Sequence, residues 1–224
     1  MKRVVDVAVS ALALLLLWPL GVLIAGAVKL GDGGPAFFRQ ARVARGGGTF
    51  RMWKFRTMIV GAERRGRQLT VSGDPRVTRV GALLRRTKLD ELPQLFNVLC
   101  GEMSLVGPRP EVPRYVALYN AEQRAVLSLT PGMTDPASLR YRDEGTELAA
   151  SVDPEQLYAD HILPAKIRLN LAYAARANWL TDLGVIGATV GALLVPGHRQ
   201  RTRSWSSAPA GDAGRSVGAM DLEH

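Results

Sequence analysis

The chain has 224 residues, a hydrophobic fraction of 47% and a formal charge of +9. That length suits one domain with an anchor or two small domains, and its one cysteine, Cys100, excludes an internal disulfide framework. The charge excess is local: residues 39–109 hold 15 Lys/Arg against 5 Asp/Glu, a surface that attracts phosphates without saying whose.

A basic start, Met1-Lys2-Arg3, precedes 22 uncharged residues, Val7 to Val28. As a helix this run would be about 33 Å long, enough for the hydrocarbon core of a bilayer. A cleaved signal peptide, a straight span and a re-entrant helix all meet that description. Trp18-Pro19 stands mid-run, where proline removes a backbone donor and favours a kink. Lys2 and Arg3 lie before the run, and Lys29, Arg39, Arg42 and Arg45 after it. Cations at both ends favour the re-entrant form, with both ends on the cytoplasmic side.

Gly31 to Pro35 reads as a turn that ends the membrane element. Gly46-Gly47-Gly48 reads as a tight loop, and Thr49 to Met58 alternates apolar and basic residues like a strand with one wet face, of uncertain register. Lys54 and Arg56 on that strand are candidates to hold a phosphate; solvated surface cations are the plainer reading. Glu63 to Gln68 is expected to be helical. Asp74 is expected to cap a short helix with Pro75 at its first position, and Ala82 to Arg86 to continue it.

The stretch Lys88-Leu89-Asp90-Glu91-Leu92-Pro93 carries the chemistry. Two adjacent carboxylates sit downstream of five cations between Arg76 and Lys88. Pro93 to Cys100 is expected to be a helix stopped by Gly101. Asp90 and Glu91 then precede its positive end, which favours their ionised forms. Adjacent side chains diverge, so one acid can face a reacting phosphorus while the other meets a metal or the backbone. Gly107-Pro108-Arg109-Pro110 fixes the backbone around Arg109, whose guanidinium suits bidentate phosphate contact.

Tyr115 to Leu129 is expected to form one amphipathic helix, followed by a loop at Thr130 to Pro136. Arg140, Tyr141 and Arg142 extend the basic surface. Helices are expected at Pro154 to Ala159 and Ile162 to Ala177, with Tyr173, Trp179, Arg168 and Arg176 suited to a head-group boundary or to ordinary packing. Leu183 to Leu194 is apolar but too short to span, and residues 197–224, poor in large apolar side chains, are expected to be disordered. There is no P-loop, no G-x-G-x-x-G, no His/Cys spacing for zinc and no serine triad.

Five motifs in order resemble the bacterial sugar transferases of the small monotopic phosphoglycosyl transferase type: Gly34 to Gln40, Lys54 to Met58, Asp74 to Gly81, Leu89 to Leu99 and Met103 to Pro110. The resemblance implies an α+β, mainly helical fold. A re-entrant membrane anchor over residues 1–30 would carry a compact cytoplasmic catalytic domain over 31–196 with amphipathic interfacial helices. It implies transfer of a sugar 1-phosphate from a UDP-sugar to undecaprenyl phosphate at the bacterial inner membrane, with Mg²⁺ and release of UMP. Asp90 falls where the family has its nucleophile and Glu91 where it has the metal-supporting acid. Lys54, Arg56, Arg85 and Arg109 fall in matching motifs as phosphate-binding candidates; membrane lipid is a partner and nucleic acid is not. The segment Asp135-Pro136-Ala137-Ser138 departs from the family pattern, and Lys88 stands where serine is usual. The competing reading is a membrane-tethered basic binding module without catalysis, which leaves the two acids unexplained.

Overall fold

The computed structural model describes residues 2–64 and 69–194 of the chain; the expected tail at 197–224 and the end of the expected helix Glu63 to Gln68 lie outside them. The described residues of that expected helix, Glu63 and Arg64, belong to a short 3-10 turn, Ala62–Arg64.

The N-terminal run is one helix, α1, Lys2–Asp32, with Pro19 inside it. The helix runs on through Pro19, so the expected kink at Trp18-Pro19 does not interrupt its helical pairing. One missing donor at Pro19 does not stop a helix whose neighbouring turns still satisfy their own backbone groups, as an apolar environment demands. Asp6, Ser10, Ile24 and Val28 share one helical stripe and are buried. Leu15, Leu16, Trp18, Val22 and Leu23 face outward and are exposed.

Both ends of α1 are tied to the same body. At the start, Lys2 donates to Val106 O (2.9 Å), Arg3 donates to Leu99 O (2.7 Å), and Asp6 accepts from Ser104 Oγ (2.8 Å) and Leu105 N (3.1 Å). At the end, Asp32 takes both terminal nitrogens of Arg56 at 2.5 Å, while Arg56 Nε donates to Pro35 O at 2.6 Å.

Strands β1, Phe37–Val43, and β2, Thr49–Phe55, pair antiparallel from Phe37 opposite Phe55 to Val43 opposite Thr49. Gly46 (φ 81°) and Gly47 (φ 89°) supply the left-handed backbone of the connection. The pairing resolves the register. Phe50 and Met52 bury against Val98 and Met103, and Phe55 joins Ile24, Val28 and Leu84. The strand stops at Phe55, short of the expected Met58, where Arg56 turns to Asp32.

Helix α2, Arg79–Thr87, is capped by Thr78, whose Oγ1 accepts from Gly81 N at 2.9 Å. The expected cap at Asp74 is therefore wrong. Its carboxylate instead accepts from Arg76 N (2.9 Å) and pairs with the Arg76 guanidinium (2.6 Å), because aspartate readily bonds the backbone amide two residues on. Lys88, in left-handed conformation (φ 58°), ends α2 and leads into a 3-10 turn, Leu89–Glu91. Helix α3, Gln94–Cys100, follows Pro93 and ends on Gly101 (φ 86°), as the sequence indicates.

Strand β3, Ser104–Val106, lies parallel to β4, Gly132–Thr134, inside the expected loop. The single helix expected over Tyr115 to Leu129 is also wrong: α4, Pro113–Val116, is four residues long, and a 3-10 segment follows at Gln123–Ser128. Asn120 and Gln123 exchange side-chain bonds with each other's backbone N–H (2.8 and 3.0 Å), an alternative to helical pairing. Then come α5, Pro136–Arg140; α6, Glu144–Ala149; and α7, Pro154–Leu157. A π-turn at Tyr158–Ile162 joins α7 to α8, Leu163–Ala174, and α9, Trp179–Leu194, is last. Tyr115, Tyr158, Ile162, Leu163 and Ile167 belong to one hydrophobic core cluster, part of which also lines the cleft described below.

Two glycine positions on α1 and α2 differ sharply in the room around them. A Cβ on Gly81 would stand 2.0 Å from Thr57 O, a backbone atom, whereas one on Gly26 would meet nothing within 4 Å. Gly81→Ala is expected to cost about 2 kcal/mol or more by overpacking, and Gly26→Ala to cost nothing measurable. Thermal unfolding of both variants in detergent checks this.

Candidate active site

Lys88 turns the chain so that the 3-10 turn sits where α2 meets α3, and this places Asp90 and Glu91 on the wall of a cleft of about 1390 Å³. The two acids have different surroundings. Asp90 is buried at 6% exposure, and its Oδ1 has no hydrogen-bond partner. Glu91 is gripped by Arg109 through two bonds, Nη1 to Oε2 at 3.0 Å and Nη2 to Oε1 at 2.7 Å, with Lys54 Nζ at 4.0 Å.

Arg109 is itself held from behind. Its backbone N–H donates to Asp135 Oδ2 (3.1 Å), and Asp135 also caps α5 by accepting from Ser138 N (2.8 Å) and Ser138 Oγ (2.8 Å). The segment that departs from the family pattern thus fixes the Arg109 loop. Reading the sequence for chemistry missed Asp135. Asp-Pro followed by Ala-Ser is nevertheless a recognisable helix start, with aspartate at the cap and proline at the first position.

The charges around the two acids act in opposite senses. Burial pushes the Asp90 carboxyl up, and the Glu91 charge adds to that, while Lys54, Lys88 and Arg85 pull it back down. Burial also opposes ionisation of Glu91, but Arg109, Lys54 and Lys88 outweigh it and hold the carboxyl well below the usual range. Burial, then repulsion from Arg109, lowers Lys54 to about 7, despite the nearby Glu91. The Glu91 charge in turn holds Arg109 firmly protonated.

Five of the residues expected from sequence converge on this cleft: Lys54, Arg85, Asp90, Glu91 and Arg109. Arg85 uses Nε on Thr57 Oγ1 (2.8 Å). Arg56 also lines the wall, but its guanidinium is engaged by Asp32, Pro35 O and Met58 O, so it fastens α1 to the end of β2. Trp18 and Pro19 belong to α1 and do not line the cleft.

No group of three or more His, Cys, Asp or Glu suited to a metal occurs among the described residues. Two adjacent carboxylates, one with an unpartnered buried oxygen, still fit Mg²⁺, which characteristically takes one or two carboxylates and completes its shell with water and substrate phosphates.

The lowered Lys54 has a sign that can be checked. Its folded value of about 7 lies below the unfolded value near 10.4. Between these limits the unfolded chain binds the extra proton, so this group makes stability rise with pH. Without substrate and with chelator present, Lys54→Met is expected to reduce the rise in Tm between pH 7 and 9; melting curves across that range measure it.

Comparison with known proteins places this geometry in context. A family described as bacterial sugar transferase matches residues 1–196. A UDP-glucose:undecaprenyl-phosphate glucose-1-phosphate transferase of Caulobacter vibrioides is 39% identical over 196 residues, covering 86% of this chain and 69% of that one. The exopolysaccharide production protein ExoY of Sinorhizobium fredii is 42% identical over 148 residues, 59% of this chain and 66% of its own. A UDP-glucose:undecaprenyl-phosphate glucose-1-phosphate transferase of Escherichia coli is 42% identical over 146 residues, 62% of this chain but only 31% of that longer one. With a match extending from the apolar helix α1 through α9, the chain belongs to the bacterial sugar transferase family.

Proposed function

We infer that the chain transfers a sugar 1-phosphate from a UDP-sugar to undecaprenyl phosphate, with release of UMP, as a first membrane step of bacterial glycan assembly. Relatives named for this reaction support the reading. The observation that carries it is the buried Asp90 carboxylate with a free oxygen, set among Lys54, Arg85 and Lys88 beside an acid already neutralised by Arg109.

In this reading an Asp90 oxygen attacks the β-phosphorus of the donor. An O–P bond forms to Asp90, the bond from that phosphorus to the bridging oxygen breaks, and UMP leaves with the electron pair. An oxygen of the lipid phosphate then attacks the same phosphorus and frees the Asp90 carboxylate. Lys54, Arg85 and Lys88 reduce the repulsion between an anionic nucleophile and a diphosphate. Glu91 and Arg109 hold each other in a fixed geometry beside the reacting atoms. Asp90, through its free oxygen, and Glu91, through lone pairs that the Arg109 contact leaves open, would hold Mg²⁺, which would supply further charge neutralisation.

The anchor fits this role as a re-entrant element. A 31-residue helix is about 46 Å long and could cross a bilayer. Both of its ends, however, bond to the same folded body through Lys2, Arg3 and Asp6 on one side and Asp32 on the other. A straight span would place those ends on opposite faces. The re-entrant reading puts the catalytic domain on the cytoplasmic face of the inner membrane, where UDP-sugars are supplied and the lipid phosphate is within reach.

Purified protein with Mg²⁺, undecaprenyl phosphate and a panel of UDP-sugars is expected to release UMP from at least one donor. Asp90→Asn should abolish release and leave membrane association intact; undiminished turnover in that variant would exclude Asp90 as the nucleophile. Single cysteines introduced near Val5 and Leu30, in a Cys100→Ser background, should react with an impermeant thiol reagent from the same face of the membrane. Labelling from opposite faces would rule out the re-entrant reading.

A further inference from the structure

The cleft does not end at the catalytic pair. Arg42 lies within electrostatic reach of Glu91 and Arg109 on one side and of Glu111 and Tyr158 on the other, so a line of polar groups leads inward from the acids. Beyond it the cleft is walled by Tyr115, Tyr158, Lys166 and Asn170. The rings of Tyr115 and Tyr158 meet edge to face at 5.0 Å, and Lys166 Nζ stands 5.5 Å from the Tyr158 ring centre. Asn170 follows Lys166 by one helical turn on α8, on the same face.

Two atoms in this arm lack partners. Tyr115, 3% exposed, and Asn170, 7% exposed, bury a hydroxyl and a carbonyl oxygen with no hydrogen bond to any group. Buried polar atoms are rarely left so, because each forfeits its hydration without return. The charges around them, by contrast, are matched: Arg114, over the Tyr115 ring, pairs with Glu155 (2.6 Å). Arg42 pairs with Glu111 (3.4 Å) and also donates to Gln40 Oε1 (2.7 Å) and Pro110 O (2.8 Å). Tyr158 donates to Glu111, and Lys166 is paired with Glu144. The arm therefore offers hydrogen bonds in a setting whose nearest cations are already matched.

We propose that this arm is the subsite for a neutral, hydroxyl-bearing ring of the sugar nucleotide, bound by Tyr115 Oη and Asn170 Oδ1. The proposal rests on the transferase reading for its ligand. Two rings of the donor have the required chemistry, the transferred sugar and the ribose. A carboxylated sugar does not fit, since Arg42 and Lys166 each already face a carboxylate.

Tyr115→Phe and Asn170→Leu test it, each removing an unpartnered oxygen while keeping the bulk of the side chain. Tyr115→Phe is expected to melt no lower than the parent, so altered binding in it is not a folding effect. In each variant kcat/KM for UMP release from a neutral UDP-hexose should fall about tenfold, the worth of one hydrogen bond. An unchanged inhibition constant for UDP assigns the arm to the sugar; equal weakening of UDP assigns it to the ribose. Unchanged values for both ligands in both variants overturn the proposal, as does turnover of UDP-glucuronate matching that of neutral donors. If the parent protein releases no UMP from any donor, the transferase reading fails separately. Calorimetric binding of UDP-glucose to the parent and the two variants then decides the subsite, with equal affinities overturning it.

Discussion

The bidentate pair between Glu91 and Arg109 is the constraint on which the site depends. Two adjacent carboxylates in a largely buried setting would repel each other and favour protonation. The guanidinium eases that conflict by holding Glu91 ionised and paired, while the Glu91 charge still adds to the upward push on Asp90. Asp90 is then left as the acid with an oxygen to spare. The asymmetry comes from neighbours and not from residue type, since aspartate and glutamate have similar intrinsic acidity.

Holding Arg109 in place takes more than its flanking prolines. Asp135 reaches the Arg109 backbone from the loop that begins α5, and the crossing of Gly107 and Gly132 lets the two segments approach. A Cβ on Gly132 would lie 2.1 Å from Gly107 N. The geometry of the acidic pair and its arginine is thus set by a parallel strand contact and by a helix cap, Asp135, at the edge of the cleft. Lys54 arrives from the hairpin and Arg85 from α2, so the site forms only when three separate pieces of the chain have met.

How much of this could be read from residues depended on range. Pro93 and Gly101 marked α3 correctly, because caps are local signals. The acidic pair, Lys54, Arg85 and Arg109 stood out as types suited to phosphate chemistry, and the fold brings them to one cleft. Arg56 belonged to the same motif by sequence, yet a carboxylate 24 positions away occupies it. No local pattern reveals that contact. Asp74 and Thr78 are both good caps, and the choice between them was settled by Arg76, which took the aspartate. Periodicity over Tyr115 to Leu129 suggested a helix, but Asn120 and Gln123 divert the backbone there. The polar arm around Tyr115 and Asn170 joins residues 55 positions apart and was invisible until the helices were packed.

The Asp32–Arg56 tie has a mechanical consequence. Thr57, the next residue, accepts from Arg85 (2.8 Å) and from Thr78 N (3.0 Å), so the far end of α1 is only a few bonds from the helix that leads into Asp90. With the opposite end of α1 pinned to β3, the anchor has no free hinge at either terminus. In the proposed membrane setting, the depth at which α1 floats would set the elevation of the reactive carboxylate above the acyl chains. Bilayer thickness and lateral pressure would then act on the distance between Asp90 and the phosphate of the proposed lipid acceptor.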